Sequence, residues 1–222
     1  MDQVLTRRST RLNLVAAVAF VLGGSLFALG AAFAQLGEVS LPTVNVTYLV
    51  GGCFFTLGGY VSILLADDTD EHMRWWRFRS YPRSWLSAFV LFVGTLFFGV
   101  SLVAAFAEGL TPRQSNGWIW LPDMTGCVCF LVSGHLAMLE VGAGHVRMLT
   151  HLVGWWVVAV NQLGSVLFFL AGIAAFTRPA TSSAIDTGLV NWGTFTGAAC
   201  FAVGGVIQAF DTPTTTRTVV QQ

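Results

Sequence analysis

The chain alternates between long apolar stretches and short polar breaks. Six stretches, at 13–36, 44–66, 84–107, 118–139, 152–177 and 189–210, are apolar over most of their length. A helix rising about 1.5 Å per residue needs roughly 20 such residues to cross about 30 Å of hydrocarbon, and each stretch meets that length. The apolar residues run continuously instead of recurring at every second position, which is not the period of a membrane β-barrel strand. The pattern predicts an all-α fold, a polytopic membrane bundle of six transmembrane helices spanning 13–210. A segment at 1–12 and a tail at 211–222 would lie outside it.

The stretches also resemble one another. The first, third and fifth contain Gly24-Ser25-Leu26-Phe27, Gly94-Thr95-Leu96-Phe97 and Gly164-Ser165-Val166-Leu167, and both spacings are 70 residues (94 − 24 and 164 − 94). The second, fourth and sixth place Phe55, Phe130 and Phe201 four residues after Gly51, Gly126 and Gly197. This predicts three tandem two-helix hairpin repeats, at about 13–66, 84–139 and 152–210, inserted in the same orientation because each holds an even number of spans. Seven residues after each motif glycine stands another small residue, Ala31, Gly58, Ser101, Ser133, Ala171 or Gly204. Seven residues are about two helical turns, so each pair shares one face. In lipid, helices associate through close packing, which small residues permit, and this stripe is the expected helix–helix contact face.

Composition agrees. Hydrophobic residues make up 55% of the 222 and charged residues only 10%, with 11 basic residues balancing 11 acidic ones. That excludes a water-soluble globule and a disordered chain, which would carry far more charge. The basic residues are all Arg. With the N-terminus inside, nine of them (Arg7, Arg8, Arg11, Arg74, Arg77, Arg79, Arg83, Arg147, Arg217) fall on the cytoplasmic side and two (Arg113, Arg178) outside. Cytoplasmic loops are enriched in Arg and Lys, so both termini are expected in the cytoplasm and the protein in the inner (plasma) membrane. The basic N-terminus and the Ala-Phe-Ala at 32–34 mimic a cleavable signal, but the apolar run is too long for one and carries the repeated motif, so the first span is expected to be retained.

Several of these motifs together look familiar. Gly24-Ser25-Leu26-Phe27, the Gly-x-x-Cys-Phe of Gly126 to Phe130 and Gly197 to Phe201, and Trp155-Trp156 followed by Asn161 and Gly164-Ser165 resemble the YrhK-like family of small bacterial membrane proteins, over about residues 13–210. The resemblance implies the helical membrane fold. It brings no activity, catalytic residue or cofactor with it.

Candidate chemistry is sparse. Cys53, Cys127, Cys129 and Cys200 all fall within spans. Cys127 and Cys129, two apart on a helix, point in nearly opposite directions and cannot grip one metal, so the cysteines read as small buried hydrophobes. His135 is the one histidine inside a span and lacks a partner for a bis-histidine haem. His145, His151 and Glu140 flank the fourth loop without metal-ligand spacing. Between the second and third spans, Arg74, Trp75, Trp76, Arg77 and Arg79 interleave cations with rings, as suits an anchor in the headgroup layer. Nucleophile elbows, phosphate loops, dinucleotide fingerprints and His-Glu-x-x-His are absent, and no span is broken by an interior proline. The polar exception is Asn161-Gln162, which replaces Val21-Leu22 and Leu91-Phe92 of the other units. An unpaired amide at that depth is costly, so Asn161 should turn inward, with His135 and Ser133 as its expected partners and Glu140 near the same end.

These features point to a non-enzymatic integral membrane protein without cofactor or metal. It would act as an accessory or scaffold subunit or as a binder of lipid or an apolar ligand. A transporter or channel for small solutes or ions is the alternative, and it would need polar groups facing the bundle interior. Membrane lipids, another membrane protein or a second copy are the expected partners, and nucleic acid is excluded by the neutral charge.

Overall fold

The computed structural model describes residues 2–69 and 82–211. Helix α1 runs Asp2–Leu36, α2 Leu41–Thr69 and α3 Arg83–Ala104. The short α4 (Pro112–Ser115), a π-helical turn (Asn116–Trp120) and α5 (Leu121–Val141) continue one another as a single span. Helices α6 (Val153–Ala174) and α7 (Thr187–Phe210) follow, joined through a two-stranded antiparallel ribbon of β1 (Thr177–Arg178) and β2 (Ser183–Ala184). Six helices are long and apolar enough to cross a membrane, and the protein is an all-α, multi-pass integral membrane bundle. Helix α1 is continuous from Asp2 through the expected start of the first span. One reading of the sequence is corrected. The fourth span does carry a proline, Pro122, which has no N–H for the preceding turn, and the π-helical turn immediately before it takes up the mismatch.

Each span packs on its neighbours in the chain and α1 also packs on α7, so the six helices close into a ring. The ring is patterned inside out relative to a soluble bundle. Leu22, Leu57, Val100, Val128, Leu163 and Val203 face outward, where hydrocarbon accepts them, while glycine, serine and phenylalanine turn inward. Mid-depth glycines set the helix spacing. A Cβ on Gly51 would lie 3.2 Å from the Gly23 carbonyl oxygen, one on Gly126 3.0 Å from that of Gly94, and one on Gly164 2.8 Å from that of Gly197. The six small residues two turns further on are all buried as well. In the first hairpin the facing glycine is thus Gly23, one residue before the Gly24 from which the 70-residue spacing is counted. Gly24 instead meets α7, where a Cβ would stand 2.7 Å from the Ala198 carbonyl oxygen. Two adjacent glycines let α1 approach α2 with one face and α7 with the next.

Six phenylalanines fill the lumen at this depth. Phe55, Phe130 and Phe201, from α2, α5 and α7, form a triangle with ring centroids 5.4 to 6.2 Å apart. Beneath it lie Phe27, Phe98 and Phe168, each paired with the phenylalanine of its own hairpin at 5.3, 5.0 and 5.4 Å. The gap that Phe27, Phe55, Phe98, Phe130 and Phe168 leave with Gly52 and Thr95 is about 10 Å³, room for a single water at most, so the rings plug the lumen. It divides the bundle into a proximal half, where α1 begins and α7 ends, and a distal half.

Candidate functional site

The proximal half of the lumen holds a cavity of about 680 Å³ lined from all six spans. Its floor is aromatic: Phe20, Phe130 and Phe201. Above them the inward positions carry small residues, among them Ala66, Ala88, Gly134 and Ala137, which cannot reach across the lumen. The shortage of side-chain volume one to three turns above the plug is what leaves the space open. Lumen-facing polar groups come from Asn13, Ser62, Ser87, Ser133, Asn161 and Ser165, and the upper rim carries Gln208, Glu140 and Asp211.

Most of these groups have spent their protons within the protein. Ser62 donates to the Gly58 carbonyl at 2.8 Å and Ser165 to the Asn161 carbonyl at 3.0 Å. Ser87 and Ser133 donate to each other's carbonyls at 2.9 and 2.8 Å, which ties α3 to α5. At the rim the Asn13 amide donates to the Gln208 and Asp211 carbonyls at 3.0 and 2.9 Å, and the Gln208 amide returns a bond to Asn13 Oδ1 at 3.1 Å, locking α1 to α7. Asn161 Oδ1 is buried against Gly204 and accepts no hydrogen bond. Asp211 is half-buried, and desolvation pushes its carboxyl above the usual range. Among the described residues no Lys or Arg side chain lines the cavity.

The sequence-derived candidates separate on this geometry. Asn161 turns inward and shares the cavity with Glu140 and Ser133. Its expected hydrogen bonds to His135 and Ser133 are not made, because His135 sits on the exposed side of α5 and Ser133 is engaged with Ser87. In the hairpin register set by the facing glycines, Asn161 stands where Phe20 and Leu91 stand, each three residues before Gly164, Gly23 and Gly94. Its neighbour Gln162 leaves the lumen for the α5/α6 seam, donating to the Leu131 carbonyl at 3.5 Å. His145 and His151 are exposed, and among the described residues no three His, Cys, Asp or Glu side chains gather as metal ligands do. Cys127 is buried and Cys129 and Cys200 partly so, but Cys53 is exposed on the outer face, contrary to its reading as a buried hydrophobe. The anchor residues Arg74, Trp75, Trp76, Arg77 and Arg79 lie outside the described residues.

Two features escaped the sequence reading. Asp123 lies within the fourth span and points to the α5/α6 seam, with Oδ2 3.4 Å from where a Cβ on Gly172 would be. A carboxylate in a span is itself a signal, passed over when the stretch is read as uncharged. The second feature is a set of distal latches across the three junctions between hairpins. Asn45 donates to the Ala105 carbonyl at 2.9 Å, Trp120 Nε1 to the Gly172 carbonyl at 2.8 Å, and Asn191 to Gln35 Oε1 at 3.1 Å. Each donor lies six residues before its motif glycine (51 − 45, 126 − 120, 197 − 191), so the pattern was visible in the chain.

No family model, curated protein or solved structure matches the chain.

Proposed function

We propose that this membrane protein is a non-enzymatic binder of a small amphipathic molecule, held in the proximal cavity. The observation that carries the reading is the cavity itself: about 680 Å³, within the size range of small-molecule sites, with an aromatic floor and a polar wall and rim. The arginine distribution supports placing both termini, and with them the cavity mouth, on the cytoplasmic side of the plasma membrane. The motifs quoted above support membership of the YrhK-like family, which adds no chemistry of its own. The closed phenylalanine plug favours binding over conduction, since a channel would need a continuous lumen.

The test is extraction in a mild detergent followed by native mass spectrometry of the intact protein. Wild type should carry a bound small molecule, and Ala137→Phe, which places a ring in the cavity, should lose it while melting at a similar temperature. An identical bound species on wild type and Ala137→Phe would place the ligand elsewhere and overturn the reading.

A further inference from the structure

We propose that the proximal cavity selects an organic cation bearing N–H donors on an apolar body, a protonated alkyl- or arylamine; the inference rests on the binding reading above. The argument is a count of protons and lone pairs. The hydroxyl protons of Ser62, Ser87, Ser133 and Ser165 go to backbone carbonyls, so these groups offer a ligand their oxygen lone pairs. At the rim the Asn13 amide spends both of its N–H groups, and the Gln208 amide one of its two. Among the described lining side chains, Ser84, the Asn161 amide and one remaining N–H of Gln208 keep protons to give, against two carboxylates, Glu140 on α5 and Asp211 just beyond the end of α7, that can only accept when ionised.

Charge points the same way. Among the described residues two carboxylates and no Lys or Arg line the cavity, so an anion entering it would meet repulsion and find few donors. A cation would meet charge of opposite sign at the rim. Burial already disfavours the ionised Asp211, and a cation beside it would offset that cost. Below the rim, Phe20, Phe130 and Phe201 present an apolar floor for the body of the ligand, and their ring faces attract cations. A fatty-acid carboxylate or an anionic headgroup fits none of these features.

The experiment compares three probes of one shape on the purified full-length protein by titration calorimetry: 2-phenylethylamine, 2-phenylethanol and 3-phenylpropionate. At neutral pH the amine should bind at least about tenfold tighter than the alcohol and the propionate, a difference of about 1.4 kcal/mol. The double variant Glu140→Gln/Asp211→Asn should weaken the amine by a similar factor and leave the alcohol unchanged. Equal binding of all three probes, or preference for the propionate, would overturn the cation inference while leaving a binding cavity in place. Binding of no probe, together with a co-purifying molecule that Ala137→Phe does not displace, would overturn the binding reading as well. Should the double variant melt well below wild type, the order of the three probes on wild type decides the matter alone.

Discussion

The two halves of the bundle use the same helices and differ in how their lumen is closed. In the distal half all three junctions between hairpins carry a side-chain-to-neighbour hydrogen bond, from Asn45, Trp120 and Asn191, and Asn116 adds a two-way bond with Thr177 across the outer loops at 2.8 and 2.9 Å. Tyr48 fills part of the interior against Phe27, with ring centroids 5.2 Å apart. In the proximal half the α1/α7 junction is bound tightly by Asn13 and Gln208, the α3/α5 hairpin by its serine pair, and the lumen between them is left open. Amides hold helices together at both ends, Asn45 and Asn191 distally and Asn13 with Gln208 proximally. By contrast, Asn161 and its seam neighbour Gln162 keep buried oxygens without a donor, and of the two only Asn161 lies beside the open space.

The largest effect should come from destroying the contact that both halves share. Gly164→Leu would drive a side chain into the Gly197 backbone, already only 2.8 Å from a bare Cβ, and should cost about 3 kcal/mol or more, since neither helix backbone can yield as a side chain would. Thermal unfolding in detergent measures it; an unchanged midpoint would mean that α6 and α7 do not pack through these glycines. A smaller loss is expected from cutting a distal latch. Asn45→Leu leaves the Ala105 carbonyl without its donor and should cost about 0.6–1.7 kcal/mol, the range for single hydrogen bonds inside membrane proteins.

The smallest effect on stability, and the sharpest test of the comparison, is Asn161→Leu. Because Oδ1 already lacks a partner, replacing the amide should leave the melting temperature within about 0.5 kcal/mol of wild type or raise it, while binding of the cavity ligand falls. A loss of stability equal to that of Asn45→Leu would mean that the proximal amide is structural too, and the distinction between the halves would disappear.

How much of this was legible in the sequence differs from element to element. The six spans follow from length and hydropathy because a bilayer imposes one length on every crossing helix. The small-residue contact face follows from its recurrence, but the register in the first hairpin does not: Gly23 and Gly24 are both small and both buried, and only the arrangement of neighbours shows that one faces α2 and the other α7. The lumen phenylalanines Phe98 and Phe168 likewise lie one residue beyond the Phe97 and Leu167 of the repeated motif, and Phe97 faces outward. Asn161 was recognisable as the polar exception. Its surroundings were not, because His135 and Ser133 lie two residues apart on α5 and so face different directions, one outward and one toward α3. Asp123 was plainly written in the chain and lost only because a single carboxylate scarcely lowers the mean hydropathy of a long span.

What the sequence determined by itself is the set of helices and the small-residue stripe along each. Both depend on local quantities, the length of an apolar run and the period at which small residues recur along it. Ring closure of α1 on α7, the stacking of six phenylalanines into a plug and the opening of a cavity above it belong to the tertiary structure alone. Each depends on side chains far apart in the chain meeting, or failing to meet, across a lumen whose width is set by all six helices at once. Ala66, Ala88 and Ala137 read as ordinary small residues of membrane helices, and they become the walls of a site only because no large side chain from another helix fills the space in front of them.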